Sequence, residues 1–308
     1  MDTFLAALFS GTSRGAIYAL VALGLVIVWR GAGILNYAQM GQAMFSTYIA
    51  STMITNGNSY WLAFVVAILV GAVMGALLDI LVMRPLSNKK KTELLSSESM
   101  RAAIPVIASL GILGVLQALA GIIWAAEERG FPAPYAQEGF TVAGNVMPFT
   151  SFDVFVITVV LSTLALTTLF FKRTGVGLAM RATALNSEVA RLSGIRTNFT
   201  RSLSWAFSGA ASSLAGLLIT PTSNLSPNTL DLVLIIGFTA AVVGGLDSPA
   251  GAVIGGFLVG MVISFVSFYD TPEDVFLAIL AVFFQVIRGE VGFPNTLEMM
   301  VRKTTLKE

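Results

Sequence analysis

The polar residues whose spacing could do chemistry inside this chain are uncharged. Asn36, Gln39, Ala43, Ser46 and Ala50 recur at steps of three and four. On an α-helix this spacing gives one face that is polar at its start and small further along. Amides and hydroxyls exchange hydrogen bonds without titrating, so such a face can line a pathway for a small solute. It can equally serve interhelical hydrogen bonding, worth about 1 kcal/mol or less per bond. Asp79 and Arg84 read as an intramembrane ion pair near the end of a span, because an unpaired carboxylate in hydrocarbon costs about 2.5–3.5 kcal/mol. Arg14 can reach outward along its stem. The chain contains no His and no Cys, which excludes disulfides, thiol nucleophiles, imidazole relays and His or Cys metal ligands. The zinc-protease, serine-hydrolase and phosphate-loop signatures are also missing. The expectation is a protein that is not an enzyme and has no catalytic residue, metal or cofactor.

The elements that must position these residues are long apolar runs, near 5–29, 35–55, 60–83, 104–125, 152–171, 202–220, 229–246, 251–268 and 274–287. Most are long enough to cross the hydrocarbon of a bilayer as helices. If they alternate in direction, all of the 18 Lys and Arg except Arg14 and Arg129 fall on one side. Lys and Arg mark the cytoplasmic face. The spacing therefore predicts an all-α, polytopic bundle of about nine spans with the N-terminus outside and the C-terminus inside. With 56% hydrophobic and 11% charged residues among 308, the crossings use most of the chain. A single transmembrane domain, 1–308, is expected, with no soluble catalytic domain. The first run lacks a basic leader and a small-residue cleavage site, so it reads as a retained span.

Two connections are long. The outer loop, 126–151, is polar and broken by Pro132, Pro134 and Pro148, and reads as a solvated loop or as a docking surface. In the inner segment, 172–201, Leu178, Arg181, Ala182, Leu185, Val189 and Leu192 recur at helical spacing. This predicts one short amphipathic cytoplasmic helix, loosened at its start by Gly175 and Gly177 and stopped by Gly194. Its leucines are expected to face the membrane, with Glu188 and Arg191 outward. Lys89, Lys90 and Lys91 read as a topology anchor. Gly-x-x-x-Gly pairs at Gly11/Gly15, Gly71/Gly75, Gly251/Gly255 and Gly256/Gly260 predict close helix packing.

Several stretches resemble the LivH-type permeases, the membrane subunits of bacterial branched-chain amino acid importers of the ATP-binding-cassette class. Gly15-Ala16-Ile17-Tyr18-Ala19-Leu20 with Ala22-Leu23-Gly24-Leu25 is similar to that family's first helix, and Arg30 through Gln39 to the start of its second. Gly175-Val176-Gly177, Arg181-Ala182, Asn186-Ser187-Glu188, Ala190 and Gly194-Ile195 resemble its coupling segment. Gly244 through Gly256 resembles a turn between two late helices, and Asp79 ahead of Arg84-Pro85-Leu86 also fits. Met40 departs from a common Gly, and Ile287-Arg288-Gly289-Glu290 from a usual Arg-Pro-x-Gly.

The resemblance implies a permease subunit in the bacterial cytoplasmic (inner) membrane that translocates branched-chain or other hydrophobic amino acids. Its implied partners are a second related permease, two cytoplasmic ATPase subunits, an external solute-binding protein and the bilayer, with no nucleic acid. Asn36, Gln39 and Ser46 would line the substrate pathway, and Gly175, Arg181, Ala182, Glu188, Arg191, Gly194 and Ile195 would couple to the ATPase. A similar branch is associated with urea or short amides. An ion-coupled secondary carrier is a further alternative, for which only Asp79 and Arg14 offer charged groups.

Overall fold

The structure is a computed structural model that describes residues 2–86, 98–142 and 145–269. Helix α1, Asp2–Ala32, is followed by α2, Gln39–Thr55, and α3, Tyr60–Leu78, which continues through a π-helical turn at Asp79–Met83 into Arg84–Leu86. Then come α4, Glu98–Trp124, the strands β1, Gly139–Val142, and β2, Asn145–Thr150, and α5, Ser151–Arg173. Two short helices, α6, Gly175–Leu185, and α7, Ser187–Leu192, lead into α8, Thr197–Ile219, and finally α9, Asp231–Gly244, and α10, Pro249–Tyr269. Among the described residues the chain is mostly helical, with six helices long and apolar enough to cross a membrane. Helices α2 and α9, of 17 and 14 residues, are shorter. At 1.5 Å per residue α9 spans only about 21 Å. The expected run at 274–287, the Lys89–Lys91 anchor and the basic C-terminal residues lie outside the described residues.

Helices α1 and α8 are the most buried of the long helices. Helices α3, α4 and α5 instead turn apolar side chains such as Leu69, Leu81, Ile122 and Leu166 outward, as helices do when hydrocarbon is the solvent. The bundle closes on glycine. A Cβ on Gly15 would lie 3.0 Å from Phe257 Cα, and one on Gly256 or Gly260 would strike Ala19 or Gly15, so α1 and α10 touch backbone to backbone, antiparallel. On the other side of the core a Cβ on Gly71 would sit 2.6 Å from Gly209 O, and one on Gly75 would strike the Trp205 carbonyl, locking α3 to α8. Such contacts replace the hydrophobic effect, which has little force between helices in lipid.

Hydrogen bonds gather the helix ends into two groups. At one end Arg84 reaches Asn198 O at 3.0 Å, Trp29 Nε1 donates to Asp247 at 3.3 Å, and Thr183 and Thr200 pair at 3.1 Å. At the other, Arg129 and Leu225 exchange backbone bonds, Asn224 Nδ2 donates to Glu128 at 3.0 Å, and Gln137 Nε2 donates to Pro221 O at 2.9 Å. The cations Arg30, Arg84, Lys172 and Arg201 belong to the first group.

Two expectations need correction. The segment 126–151 is not merely a solvated loop in an all-α chain: β1 and β2 pair antiparallel, Gly139 opposite Thr150 and Thr141 opposite Val146. Thr150 then caps α5 in a reciprocal box with Asp153, satisfying otherwise orphaned amides. Second, 172–201 is two helices and not one. Asn186 is extended, at φ −158°, and its side chain accepts from the amides of Glu188 and Val189 at 3.0 Å each. Its local bonds compete with helix continuation and start a new helix instead.

Candidate functional site

The backbone does not leave α1 at the surface and re-enter by a simple turn. Gln39 Nε2 donates to Val21 O at 3.0 Å, and Val21 lies about 16 Å short of the α1 terminus along the helix axis. Residues 33–38 therefore run back into the bundle as irregular chain, opened by Gly33 at φ +67°, and α2 begins at depth. Non-helical backbone at that depth is tolerated only inside protein or along a polar cavity. Ala38 supplies no side-chain cap to α2, so the positive end of this helix points into the bundle interior.

Around that terminus lies a buried polar seam. Asn36, Gln39, Gln42, Ser46, Ser208, Ser212 and Ser213 are all fully buried. Gln39 Oε1 accepts from Ser208 at 3.2 Å, Ser46 donates to Ala43 O at 2.9 Å, and the Ser46 and Ser213 hydroxyls pair at 2.8 Å. Asn36 and Gln42 differ from these: both polar atoms of each side chain are buried without a hydrogen-bond partner. An unmet buried polar group costs about 1–3 kcal/mol. The seam is thus a tight contact between α1, α2 and α8 that holds two unsatisfied amides at its centre. Gln42 shares the helical face of Gln39 and Ser46, and its spacing alone would have placed it there. The three α8 serines, more than 160 positions further along the chain, carry no such local signal.

Asp79, with 0% side-chain exposure, sits at the π turn. Arg201 Nε approaches it at 2.7 Å, Ser202 Oγ at 2.6 Å and Arg84 Nη2 at 3.5 Å. The Asp79–Arg84 pair is therefore one edge of a larger cluster whose shortest ionic contact comes from α8. Sequence reasoning missed Arg201 because folding across 122 positions creates the contact.

The segment 172–201 packs on the bundle through its small residues and not through its leucines. Gly177, Met180, Thr183 and Ala190 are buried, while Leu178, Leu185 and Leu192 are 60%, 84% and 86% exposed. The reason is steric. A Cβ at Gly177 would lie 2.5 Å from Phe170 O, so the glycine face, not the leucine face, can nest on the end of α5. Arg181 and Ala182 are half-buried, Ile195 likewise, and Gly175, Glu188 and Arg191 are exposed. Gly194 adopts φ +84° immediately past α7 and donates to Arg191 O at 3.1 Å, the left-handed stop that glycine accepts without strain.

Six long apolar helices among the described residues, closed on glycine seams, mark a polytopic membrane protein. The sequence model of the family described as branched-chain amino acid transport system, permease component, matches residues 7–287, and the chain belongs to that family. It is 31% identical to the probable branched-chain amino acid transport permease protein LivH of Methanocaldococcus jannaschii, over 82% of this chain and 78% of the relative. It is 29% identical to the high-affinity branched-chain amino acid transport system permease protein LivH of Escherichia coli, over 95% and 96%. A fructose import permease protein of Bifidobacterium longum is 25% identical over 81% and 67%. No solved structure matches the chain.

Proposed function

We propose that this chain is the translocating permease of an ATP-binding-cassette importer for branched-chain or other hydrophobic amino acids. It sits in the cytoplasmic membrane of a bacterium with its cation-rich end inside. The chain makes about nine crossings, N-terminus out and C-terminus in. It works with a second related permease, two ATPase subunits and an external binding protein.

The observation that carries this reading is the pair of unsatisfied amides, Asn36 and Gln42, beside the uncapped N-terminus of α2. A zwitterionic solute offers a carboxylate to that positive helix end and an ammonium to amide oxygens, as broken helices do for substrates in other transporters. In the closed seam these groups wait; separation of α2 from α8 exposes them. The exposed leucines of α6 and α7, with Glu188 and Arg191, form the surface that meets the ATPase and transmits its motion, since coupling needs a physical element that both sites bias.

The test is reconstitution of the permease pair, ATPases and binding protein in proteoliposomes. Uptake of radiolabelled leucine, isoleucine and valine should require internal ATP and persist when ion gradients are collapsed. Uptake by this chain alone, abolished by an ionophore, would instead establish a secondary carrier. Uptake of urea without any amino acid would move the chain to the related branch.

A further inference from the structure

A cavity of about 890 Å³ opens on the flank of the bundle, walled by α1, α5 and α10 and closed at the cation-rich end by α6. Its chemistry is divided along its length. Leu23, Leu164 and Ile254 supply apolar walls, and Ile254 is 61% exposed, so the cleft opens onto the surface that hydrocarbon covers. At the other end stand Arg30, Lys172, Arg173 and Arg181, and among the described residues no carboxylate lines the cavity. Asp247, in the turn before Pro249, accepts from Trp29 Nε1 and is not part of the lining. Among the described residues none of the four cations has a carboxylate partner. Arg181 goes further: its Nε is buried and lacks any acceptor.

Four unneutralised cations at one end of an apolar cleft, at the level where lipid headgroups lie, are complementary to one kind of molecule. We propose that this cavity binds an anionic phospholipid, its phosphate against Arg30, Lys172, Arg173 and Arg181 and an acyl chain between α5 and α10. A free phosphate would satisfy the cations but leave the apolar cleft empty; a neutral phospholipid would fill the cleft but carry a balancing ammonium into the cationic cluster. The lipid ties α6 to α1, α5 and α10, and so stiffens the segment through which the coupling proposed above must pass. The inference needs only that the chain is a membrane protein, and it stands apart from the identity of the solute.

The test uses the assembled transporter in nanodiscs of equal phosphatidylglycerol and phosphatidylcholine, stripped with mild detergent and weighed by native mass spectrometry. Phosphatidylglycerol should be retained at least tenfold over phosphatidylcholine. Arg181→Gln should lower retention about fivefold, the effect of one basic residue near an anionic lipid surface, and Lys172→Gln with Arg173→Gln further. Arg129→Gln, at the opposite end, should leave it unchanged. Millimolar inorganic phosphate should not displace the lipid. Equal retention of the two lipids on the unaltered chain overturns the proposal, whatever the variants do. So does displacement by phosphate, which would make this a free-anion site. So does lipid bound to the isolated permease but lost when the ATPase subunits join, which would assign the cavity to a protein partner.

Discussion

If the amides of the central seam serve transport, removing one should separate stability from activity. Asn36 is fully buried and both of its polar side-chain atoms lack partners. At the low end of about 1 kcal/mol per unsatisfied group, the closed seam bears about 2 kcal/mol on this residue's account. Asn36→Ala removes that cost and leaves a void of roughly 30 Å³, which at about 24 cal/mol per Å³ returns under 1 kcal/mol. The variant should therefore be as stable as the parent or more stable by about 1 kcal/mol, because both losing groups disappear together. Transport should fall at least tenfold, since the solute loses a partner in the opened seam. The assay pairs the thermal unfolding midpoint of the purified complex with ATP-dependent uptake per assembled complex. A variant that is clearly less stable yet transports normally would show that Asn36 is satisfied in the closed state and structural in role, and the reasoning would fail. Asn36→Leu, which also overfills the site, distinguishes loss of the amide from loss of space.

Other parts of the structure give sharper single outcomes. Arg201→Met and Asp79→Asn should each destabilise by about 3–5 kcal/mol, as breaking a buried pair does, whereas the double variant should lose much less than their sum; additive losses in unfolding midpoints would deny the contact. Arg84→Met should cost less than Arg201→Met, because Arg84 is 34% exposed against 17% and lies farther from the carboxylate. Gly71→Leu should part α3 from α8 and abolish assembly, seen as loss of the monodisperse peak in size-exclusion chromatography, while Gly111→Leu, where a side chain meets open space, should be tolerated. Glu188→Lys should lower both transport and substrate-stimulated ATP hydrolysis without affecting membrane insertion; unchanged uptake would count against the coupling surface. A cysteine in place of Pro134 should react with an impermeant maleimide from outside and one in place of Lys90 should not, and the reverse pattern would invert the orientation.

What the sequence determined by itself followed from short-range rules. Apolar length, the gathering of Lys and Arg between apolar runs, and the three- and four-residue recurrence of Asn36, Gln39 and Ser46 are local patterns. So were the glycine pairs, whose x-x-x spacing puts both residues on one helix face. The tertiary structure decided how those faces were used. Gly71 and Gly75 found α8, and Arg201 displaced Arg84 as the nearest ionic partner of Asp79, because those contacts join positions more than 120 residues apart. The depth at which α2 begins could not be read from an apolar run, which looks the same whether the chain crosses or doubles back. The leucines of α6 and α7 ended on the outer face because Gly177 alone leaves room for α6 to lie on α5. Periodicity marks a helix as two-faced; only the shape of its neighbours selects the face that is covered.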